Sequence, residues 1–210
     1  MHWIDPDFLP DVRGTVERFI VNPEGEIDGL ILTYDNDRFL LVHVPPHLQR
    51  ELEAAVKPGE SIRVRGIRPR DADMIAAVSL TANDGTVIVD NGPGADLKHP
   101  HQRGKPSTVA FAGTVRLPLF GPKGELRGAL LDDGSIIRIE PKMAARFIEW
   151  LRPRASIAAR GNGLETKHGR VVTAKEIGPD LSHLMSATDL PREPKLKKEP
   201  AVSAHAHSAA

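Results

Sequence analysis

The chain has 210 residues, and its 28 Lys and Arg balance 28 Asp and Glu, so it lacks the strongly basic field of a protein that coats DNA. It contains no Cys, which excludes disulfides, thiol catalysis and Cys-ligated zinc or iron–sulfur sites. The acidic, Pro-broken start is unlike a secretory signal, and no apolar run approaches the roughly 18 residues of a membrane span, so we expect a cytoplasmic protein.

The first part of the chain predicts a small β-rich unit with one helix. Two apolar or β-branched runs flank the turn signal Pro-Glu-Gly-Glu, and a third run follows them. After Pro45 the period changes, and Leu48, Leu52 and Val56 fall on one helical face. Alternating and apolar runs then predict two further strands. The predicted strands cover residues 12–22, 27–34, 39–44, 61–67 and 74–80, and the predicted helix covers 45–56.

The second part of the chain repeats the first. Seven residues between Gly14 and Gly29 recur 99 positions later, between Gly113 and Gly128. Six more, from positions 46 to 66, recur 95 positions later, and residues 74–80 match 171–177. Each change of spacing falls in a turn, where a change of length costs little free energy. The chain therefore contains a duplicated domain, and the second copy carries its helix at 141–151.

The order of three strands, a helix and two strands resembles the OB-fold, a five-stranded barrel. The resemblance also rests on Gly14 in the first strand, the Pro-x-Gly-Glu turn and the segment PGESIRVRG before the fourth strand, although Arg154 replaces the turn glycine in the second copy. An SH3-like barrel is the alternative, but the helix favours the OB-fold. The resemblance implies an all-β protein of two tandem OB-like five-stranded barrels with one short helix each, similar to uncharacterised bacterial two-OB-domain proteins.

Composition divides the chain into four parts. Residues 91–108 are dense in Pro, Gly and His, which is typical of a flexible linker, and 181–210 lack the apolar residues of a core and predict a disordered tail. We therefore expect the OB-like domains at 1–90 and 109–180. In the tail, His205 and His207 give a weak metal signal, and the run Lys-Leu-Lys-Lys is basic.

The two expected domains have opposite charge, with a net −7 over residues 1–90 and +4 over 109–180. One hypothesis is a non-enzymatic protein that binds single-stranded or structured DNA or RNA, mainly through the basic second copy. The alternative is an interaction or scaffold module, whose barrels dock with each other or with a protein partner. An exposed apolar edge strand in the first copy would favour this alternative.

OB-folds bind oligonucleotides on strands 2 and 3 and on the loops that join strands 1–2 and 4–5. The predicted phosphate-binding surface consists of cations at these places in the second copy, together with cations along strand 4 and the 4–5 loop of the first copy. The alternative is that these arginines only keep a strand face soluble or pair with acidic residues, as exposed arginines on strands ordinarily do. The only plausible stacking platforms lie in the less basic first copy, so we expect weak or composite binding. The predicted nucleic-acid-binding residues are Lys123, Arg127, Arg138, Lys167, His168, Arg170, Arg63, Arg65, Arg68, Arg70, Tyr34 and Phe39.

No sequence motif indicates an enzyme. His43 and His47 are four residues apart, but the two intervening prolines prevent a shared helical metal-binding face. Asp132 and Asp133 fit a hairpin turn better than a catalytic carboxylate pair. The chain also lacks a phosphate loop, a dinucleotide fingerprint and a Ser–His–Asp pattern. We expect neither catalysis, cofactor nor metal, no membrane association, and DNA, RNA or a protein as the partner.

Overall fold

A computed structural model of the chain describes residues 6–93 and 107–186, which form two β-barrels. In each barrel the first strand pairs with the second and fourth, and the third pairs in parallel with the fifth, which closes the barrel. This connectivity is that of the OB-fold. The predicted fold class is confirmed: the protein consists of two tandem OB-like five-stranded barrels with short helical segments.

The first barrel follows the predicted order closely. A 3₁₀ turn at Pro46–Leu48 precedes its helix α1 (Gln49–Ala55), and Pro45 and Pro46 suit the start of a helical segment. A strand that was not predicted, β6 (Val87–Val89), extends the sheet beyond β5 (Met74–Thr81). The elements are β1 (Asp11–Val21), β2 (Ile27–Tyr34), β3 (Arg38–His43), α1 (Gln49–Ala55), β4 (Ser61–Ile67), β5 (Met74–Thr81) and β6 (Val87–Val89).

The second barrel repeats this plan with a different helical segment. The single helix predicted over 141–151 is instead a short helix, α2, and a 3₁₀ turn at Ile148–Leu151. Both pieces still contribute to the core, where Ala144, Phe147 and Leu151 are buried. The elements are β7 (Ser107–Phe120), β8 (Leu126–Leu131), β9 (Ile136–Arg138), α2 (Pro141–Ala144), β10 (Ser156–Thr166), β11 (Gly169–Gly178) and β12 (Met185–Ser186).

A glycine allows the fourth strand of each barrel to bend at a β-bulge. The register of β4 on β5 shifts between Arg65 and Gly66, and that of β10 on β11 shifts between Arg160 and Gly161. A Cβ atom at Gly66 would collide with the carbonyl oxygen of Ala76, and one at Gly161 would collide with that of Thr173. The duplicated glycines therefore let two backbones approach closely where each barrel curves.

Each barrel has its own apolar core, and a third apolar cluster joins the two barrels. This inter-barrel cluster is buried and consists mainly of residues that are equivalent in the duplication. Because the same positions of both copies meet, the barrels pack about an approximate two-fold axis. The equivalent pairs are Ile20 and Leu119, Ile31 and Leu130, Leu41 and Ile136, and Met74 and Val171.

Two expected boundaries shift in the structure. Strand β7 already begins at Ser107, inside the expected linker, because Ser107 and Thr108 pair with β10. Disorder was expected from residue 181, but β12 pairs with β11 within this part, which corrects the expectation for residues 181–186. The remainder of the expected linker (94–106) and tail (187–210) lies outside the described residues. No helix in the described ranges is long and apolar enough to cross a membrane.

Candidate functional site

The docking of the barrels covers the faces with which OB-folds bind oligonucleotides. In the β1–β2 turn, Gly25 lies against Leu164 and Thr166 of the second barrel. In the equivalent β7–β8 turn, Gly124 lies against Pro69 and Ala72 of the first barrel. Each 1–2 turn thus meets the other barrel's 4–5 region, and the apolar cluster fills the space between the strands. These faces bind each other in this structure, which leaves the rim of the interface exposed to a ligand.

An ion pair marks the two-fold axis at one rim. Glu17 and Arg116 occupy equivalent positions in the two copies, and both Arg116 Nη atoms donate to the Glu17 carboxylate at 2.5 and 2.7 Å. The guanidinium of Arg116 also lies over the ring of Phe39, 4.4 Å from its centroid. A cation of the second barrel and an aromatic ring of the first therefore form one composite contact.

Cation–aromatic contacts continue on both sides of this axis. In the first barrel, Arg38 lies 5.5 Å from the ring centroid of Tyr34. In the second, Arg170 lies 5.3 Å from the ring centroid of Phe111 and donates to Asp133. The rim thus alternates guanidinium groups with rings across both barrels. We call it the seam stripe, and its residues are Arg18, Tyr34, Arg38, Phe39, Phe111, Arg116 and Arg170.

Arg18 lies at the centre of the seam stripe. Its guanidinium approaches Gly134, which lies in the turn between β8 and β9, and Gly169, the first residue of β11. Its Nε is buried and has no hydrogen-bond partner among the described residues. Burial lowers the pKa of Arg18, Glu17 and Asp133 raise it and Arg116 lowers it, but an arginine stays charged in proteins. The site therefore contains a cation whose hydrogen-bonding capacity is incompletely used.

A buried charge pair lies elsewhere in the interface. Arg138 donates to the Val21 carbonyl at 2.8 and 3.1 Å and to the Asp28 carboxylate at 2.5 Å, and its side chain is only 5% exposed. Burial raises the pKa of Asp28 and lowers that of Arg138, while each charge opposes the effect on the other. At the position equivalent to Arg138, burial and the Arg138 charge lower the pKa of His43 to about 4. His43 is therefore neutral at pH 7.

The structure corrects the expectation that Arg138 lines an open groove, because this residue is buried against the first barrel. Two further predicted residues also meet the first barrel: Lys167 and His168 contact Glu53 of α1 at 3.1 and 2.6 Å. Burial alone would raise the pKa of Glu53, but hydrogen bonds from His168 and Lys167 lower it. All three residues therefore contact the first barrel in this structure.

The other predicted residues are scattered over both barrels. Arg127 pairs with Glu125 of its own barrel. Lys123, Arg68 and Arg70 are exposed in turns. Arg63 pairs with Asp11, and Arg65 pairs with Asp7. Only Tyr34, Phe39 and Arg170 of the predicted set lie on the seam stripe, and the binding roles of the exposed residues stay predictions.

Sequence reasoning missed four members of the seam stripe: Arg18, Arg38, Phe111 and Arg116. One signal was present in the repeat, because Glu17 and Arg116 follow directly after the shared Gly-Thr-Val and carry opposite charges. Opposite charges at equivalent positions suit a pair that meets on a two-fold axis. Phe111 and Arg38 gave no comparable signal, since their importance depends on the docking of the barrels.

The described residues contain no group of three or more His, Cys, Asp or Glu placed to hold a metal ion. His43 lies in the barrel interface, whereas His47, in the 3₁₀ turn before α1, contacts Asp90 at 2.9 Å. The two histidines thus have separate surroundings. The pair His205 and His207 lies outside the described residues.

Comparison with known proteins gives the following likenesses. No protein-family model and no curated protein matches the chain. Among solved structures, it is similar to the wild-type single-stranded DNA binding protein from Thermus aquaticus (14% identity, 88% of this chain and 94% of that one, TM-score 0.25). A deletion mutant of that protein gives 14% identity, 88% and 96% coverage and a TM-score of 0.26. A tRNA fluorescent labeling enzyme gives 10% identity, 78% and 31% coverage and a TM-score of 0.28. Such low TM-scores support no functional argument, so the tandem OB-like fold rests on the strand connectivity itself.

Proposed function

We propose that the protein is a non-enzymatic binding protein that holds single-stranded nucleic acid along the seam stripe. The contact of Arg116 with Phe39 across the interface is the observation that supports this proposal. The sequence predicted the aromatic rings in the first copy and most of the phosphate-binding cations in the second copy. Docking brings the two kinds of group together on one rim, as the expected composite binding requires.

The chemistry of the seam stripe suits unpaired nucleotides. Aromatic rings and guanidinium planes stack on bases of any identity, at about 1–3 kcal/mol per base. Guanidinium groups also donate to phosphate oxygens, often through two parallel hydrogen bonds. Tyr34, Phe39 and Phe111 supply rings, and Arg18 and Arg170 supply positively charged guanidinium groups. A single strand can present both its bases and its phosphates to such a surface.

Nearby carboxylates limit the expected affinity. Glu17 binds Arg116 through both oxygens, and Asp133 binds Arg170 at 3.0 Å. A phosphate must compete with these acids, so few counterions are released when it binds. We therefore expect modest affinity, with a salt dependence that corresponds to two or three phosphate contacts.

Fluorescence anisotropy with labelled single-stranded DNA and RNA, at 50 and 200 mM salt, tests the proposal. We expect binding by the full chain that weakens at the higher salt concentration. Phe39→Ala should weaken binding by about 5- to 150-fold at both salt concentrations, because stacking on one base is lost. Arg18→Gln should weaken binding at low salt and reduce the salt slope by about one.

The matched control is Arg160→Gln, which removes an exposed guanidinium that pairs with Glu176 on the second barrel. This variant should bind as the parent does. Circular dichroism must show that every variant is folded. If Arg160→Gln loses as much affinity as Arg18→Gln, the binding depends on general charge, and the seam stripe is not the site.

Protein interaction is the second candidate function, and two observations favour it. The OB ligand faces of the two copies cover each other, and the first copy has an exposed apolar edge strand, β6, whose Val87 is 58% exposed. An interaction module predicts no nucleic-acid binding even at 50 mM salt. That result would reject the seam stripe and leave its cation–aromatic contacts as part of the docking interface.

A further inference from the structure

Strand β6 presents an open hydrogen-bonding edge. It is the last strand of its sheet and pairs only with β5 among the described residues. The N–H of Asp90 donates to the Val78 carbonyl at 2.9 Å, which places the even-numbered residues of β6 in the bonded pairs. Bonded and non-bonded positions alternate in an antiparallel pair. The N–H and C=O groups of Val87 and Val89 therefore point away from β5.

A groove lies between this open edge and helix α1. Its volume is about 680 Å³, and Leu48, Ala54 and Ala55 supply its apolar wall opposite Val87 and Val89. The small alanines leave space for one side chain of an added strand. A strand edge beside an apolar wall is the arrangement that binds extended peptides by β-strand addition, in which the backbone gives affinity and the pocket gives specificity.

The charged side chains that line the groove are acidic. Glu51 of α1 and Asp84 of the β5–β6 turn are exposed, and no Lys or Arg is among the described lining residues. The N–H of Thr86 donates to the Asp84 carboxylate at 2.8 Å, which lowers the pKa of Asp84. At one end of the groove, His47 contacts the carboxylate of Asp90 at 2.9 Å. Charge complementarity therefore favours a cationic occupant and disfavours a nucleic acid.

The spacing of these groups indicates which sequence fits. Glu51 lies about one helical turn, ~5 Å, before Ala54 and Ala55. In a strand, side chains two residues apart point to the same face and lie about 7 Å apart. A peptide with an apolar side chain against the alanines thus places the residues two positions before and after it near the acids. The pattern that fits is Val or Ile with a basic residue two positions away on each side.

A second copy of the chain fits this edge less well than a basic peptide does. If two β6 strands paired about a two-fold axis, each groove would meet its equivalent. Glu51 and Asp84 of one copy would then lie close to the same acids of the other copy, and like charges oppose association. The favoured occupant is therefore a basic segment of a different protein.

We propose that the groove between α1 and β6 binds an extended basic segment of a partner protein by β-strand addition. The segment pairs with the backbone of Val87 and Val89, and its apolar side chain packs on Ala54 and Ala55. Its basic residues lie near the two exposed acids. This inference rests on protein interaction, the second candidate function, and needs no residue of the seam stripe.

Fluorescence anisotropy of labelled peptides with the full chain tests the proposal. The probe is Thr-Lys-Thr-Val-Thr-Lys-Thr with blocked ends, and the comparison peptide has Glu in place of both lysines. We expect the chain to bind the basic peptide at least about ten-fold more tightly at 50 mM salt. Glu51→Gln combined with Asp84→Asn should remove most of this preference, and Asn keeps an acceptor for the N–H of Thr86. The control is Asp73→Asn, which removes an exposed acid at the opposite end of β5 and should retain the preference.

A second pair of variants tests the backbone contact. Val87→Pro removes an N–H that points away from β5, and proline is tolerated at the first residue of an edge strand. It should weaken binding of the basic peptide by about 2- to 12-fold, the effect of one lost hydrogen bond. Val87→Thr keeps the N–H and should bind as the parent does. Circular dichroism must show that all variants are folded.

Four results would overturn the proposal. The parent binds neither peptide, or it binds both equally. Val87→Pro and Val87→Thr bind the basic peptide equally well. Sedimentation shows a dimer of the parent that Val87→Pro abolishes, which assigns the edge to a second copy. Phe39→Ala loses the basic peptide, which places that peptide on the seam stripe, whereas loss of nucleic-acid binding alone in Phe39→Ala leaves the groove as the peptide site.

Discussion

His43 and Arg138 occupy equivalent positions in the two barrels, but their surroundings in the interface have opposite effects on their charge. Arg138 donates hydrogen bonds to the Asp28 carboxylate and to the Val21 carbonyl, and it therefore remains charged although it is buried. Burial is the main cause of the lowered pKa of His43, and the charges of Arg138 and Arg127 lower it further. The duplicated position therefore carries a charge in one copy and a neutral ring in the other.

This difference predicts a pH dependence of stability. The unfolded His43 has a pKa near 6.5 and the folded residue one of about 4, so between these values the unfolded state binds more protons. Stability from His43 is complete above pH 6.5 and is lost as the pH falls towards 4, by about 3 kcal/mol in total. Urea denaturation of the parent and of His43→Gln, at intervals from pH 7 to pH 4, measures the loss.

His43→Gln cannot titrate, so its stability should fall less over this range. Asp28 acts in the opposite direction, because its folded pKa is raised and protonation in acid favours the native state. Both proteins contain Asp28, and the difference between them therefore isolates the histidine. Parallel curves for the two proteins would show that His43 does not supply the pH dependence.

The misplacement of Arg138 in the sequence analysis has a simple physical cause. A strand pattern tells which side chains point into their own barrel, and Arg138 points out of it. It does not tell whether the outer face meets water or another barrel. The same limit applies to Lys167 and His168, which contact Glu53 of the other copy.

Among the elements, the strands of both barrels were predictable and the shortest pieces were not. Alternation and the repeat gave β1 to β5 to within a residue or two. Strand β6 has only three residues, although Asn83-Asp84-Gly85 before it is a hairpin signal. In the second copy, a short α-helix and a separate 3₁₀ turn replace the single predicted helix, although Ala144, Phe147 and Leu151 have helical spacing in the sequence.

The bulges of β4 and β10 give a prediction at this scale. Gly66→Ala and Gly161→Ala should each destabilise the protein by about 1–3 kcal/mol, because the new methyl group meets a fixed backbone carbonyl. Gly113→Ala is the control, since its nearest neighbour is a Leu131 methyl group at 3.3 Å, which can move. Thermal denaturation followed by circular dichroism measures all three. Equal stability of Gly66→Ala and Gly113→Ala would contradict the role of the bulge glycine.

At the scale of the whole molecule, the sequence predicted two barrels of opposite charge but left their docking open. The residues that join the barrels, such as Ile31 and Leu130, lie in apolar runs in which every residue is buried. A continuous apolar run shows that both faces of a strand are buried. It does not show whether the outward face is covered by the same barrel or by a neighbouring barrel. Only the structure separates the inter-barrel cluster from the two barrel cores.

The ion pair on the axis predicts a charge-swap effect. Glu17→Arg places a new cation beside Arg18 and Arg116 and should lower the free energy of unfolding by about 1–3 kcal/mol. Adding Arg116→Glu should restore part of the loss, but not the contact with Phe39. Urea denaturation of the parent, both single variants and the double variant gives the coupling energy.

The control is the same exchange at Arg160 and Glu176, an exposed pair within the second barrel. Exposed pairs contribute little, so this exchange should change stability by less than about 1 kcal/mol. A coupling energy for Glu17 and Arg116 no larger than that of the control would mean that the axis pair does not hold the barrels together.

The ion pair between Glu17 and Arg116 could not exist in a symmetric dimer of separate chains. In such a dimer, each residue near the axis contacts the same residue of the partner, so glutamate would face glutamate and arginine would face arginine. Fusion of the two copies into one polypeptide removes this constraint, because a substitution then occurs once instead of twice. Each half has become unlike the other where they touch, and the opposite charges disfavour pairing between two identical halves. One chain therefore always supplies one barrel of each kind, in a fixed ratio of one to one.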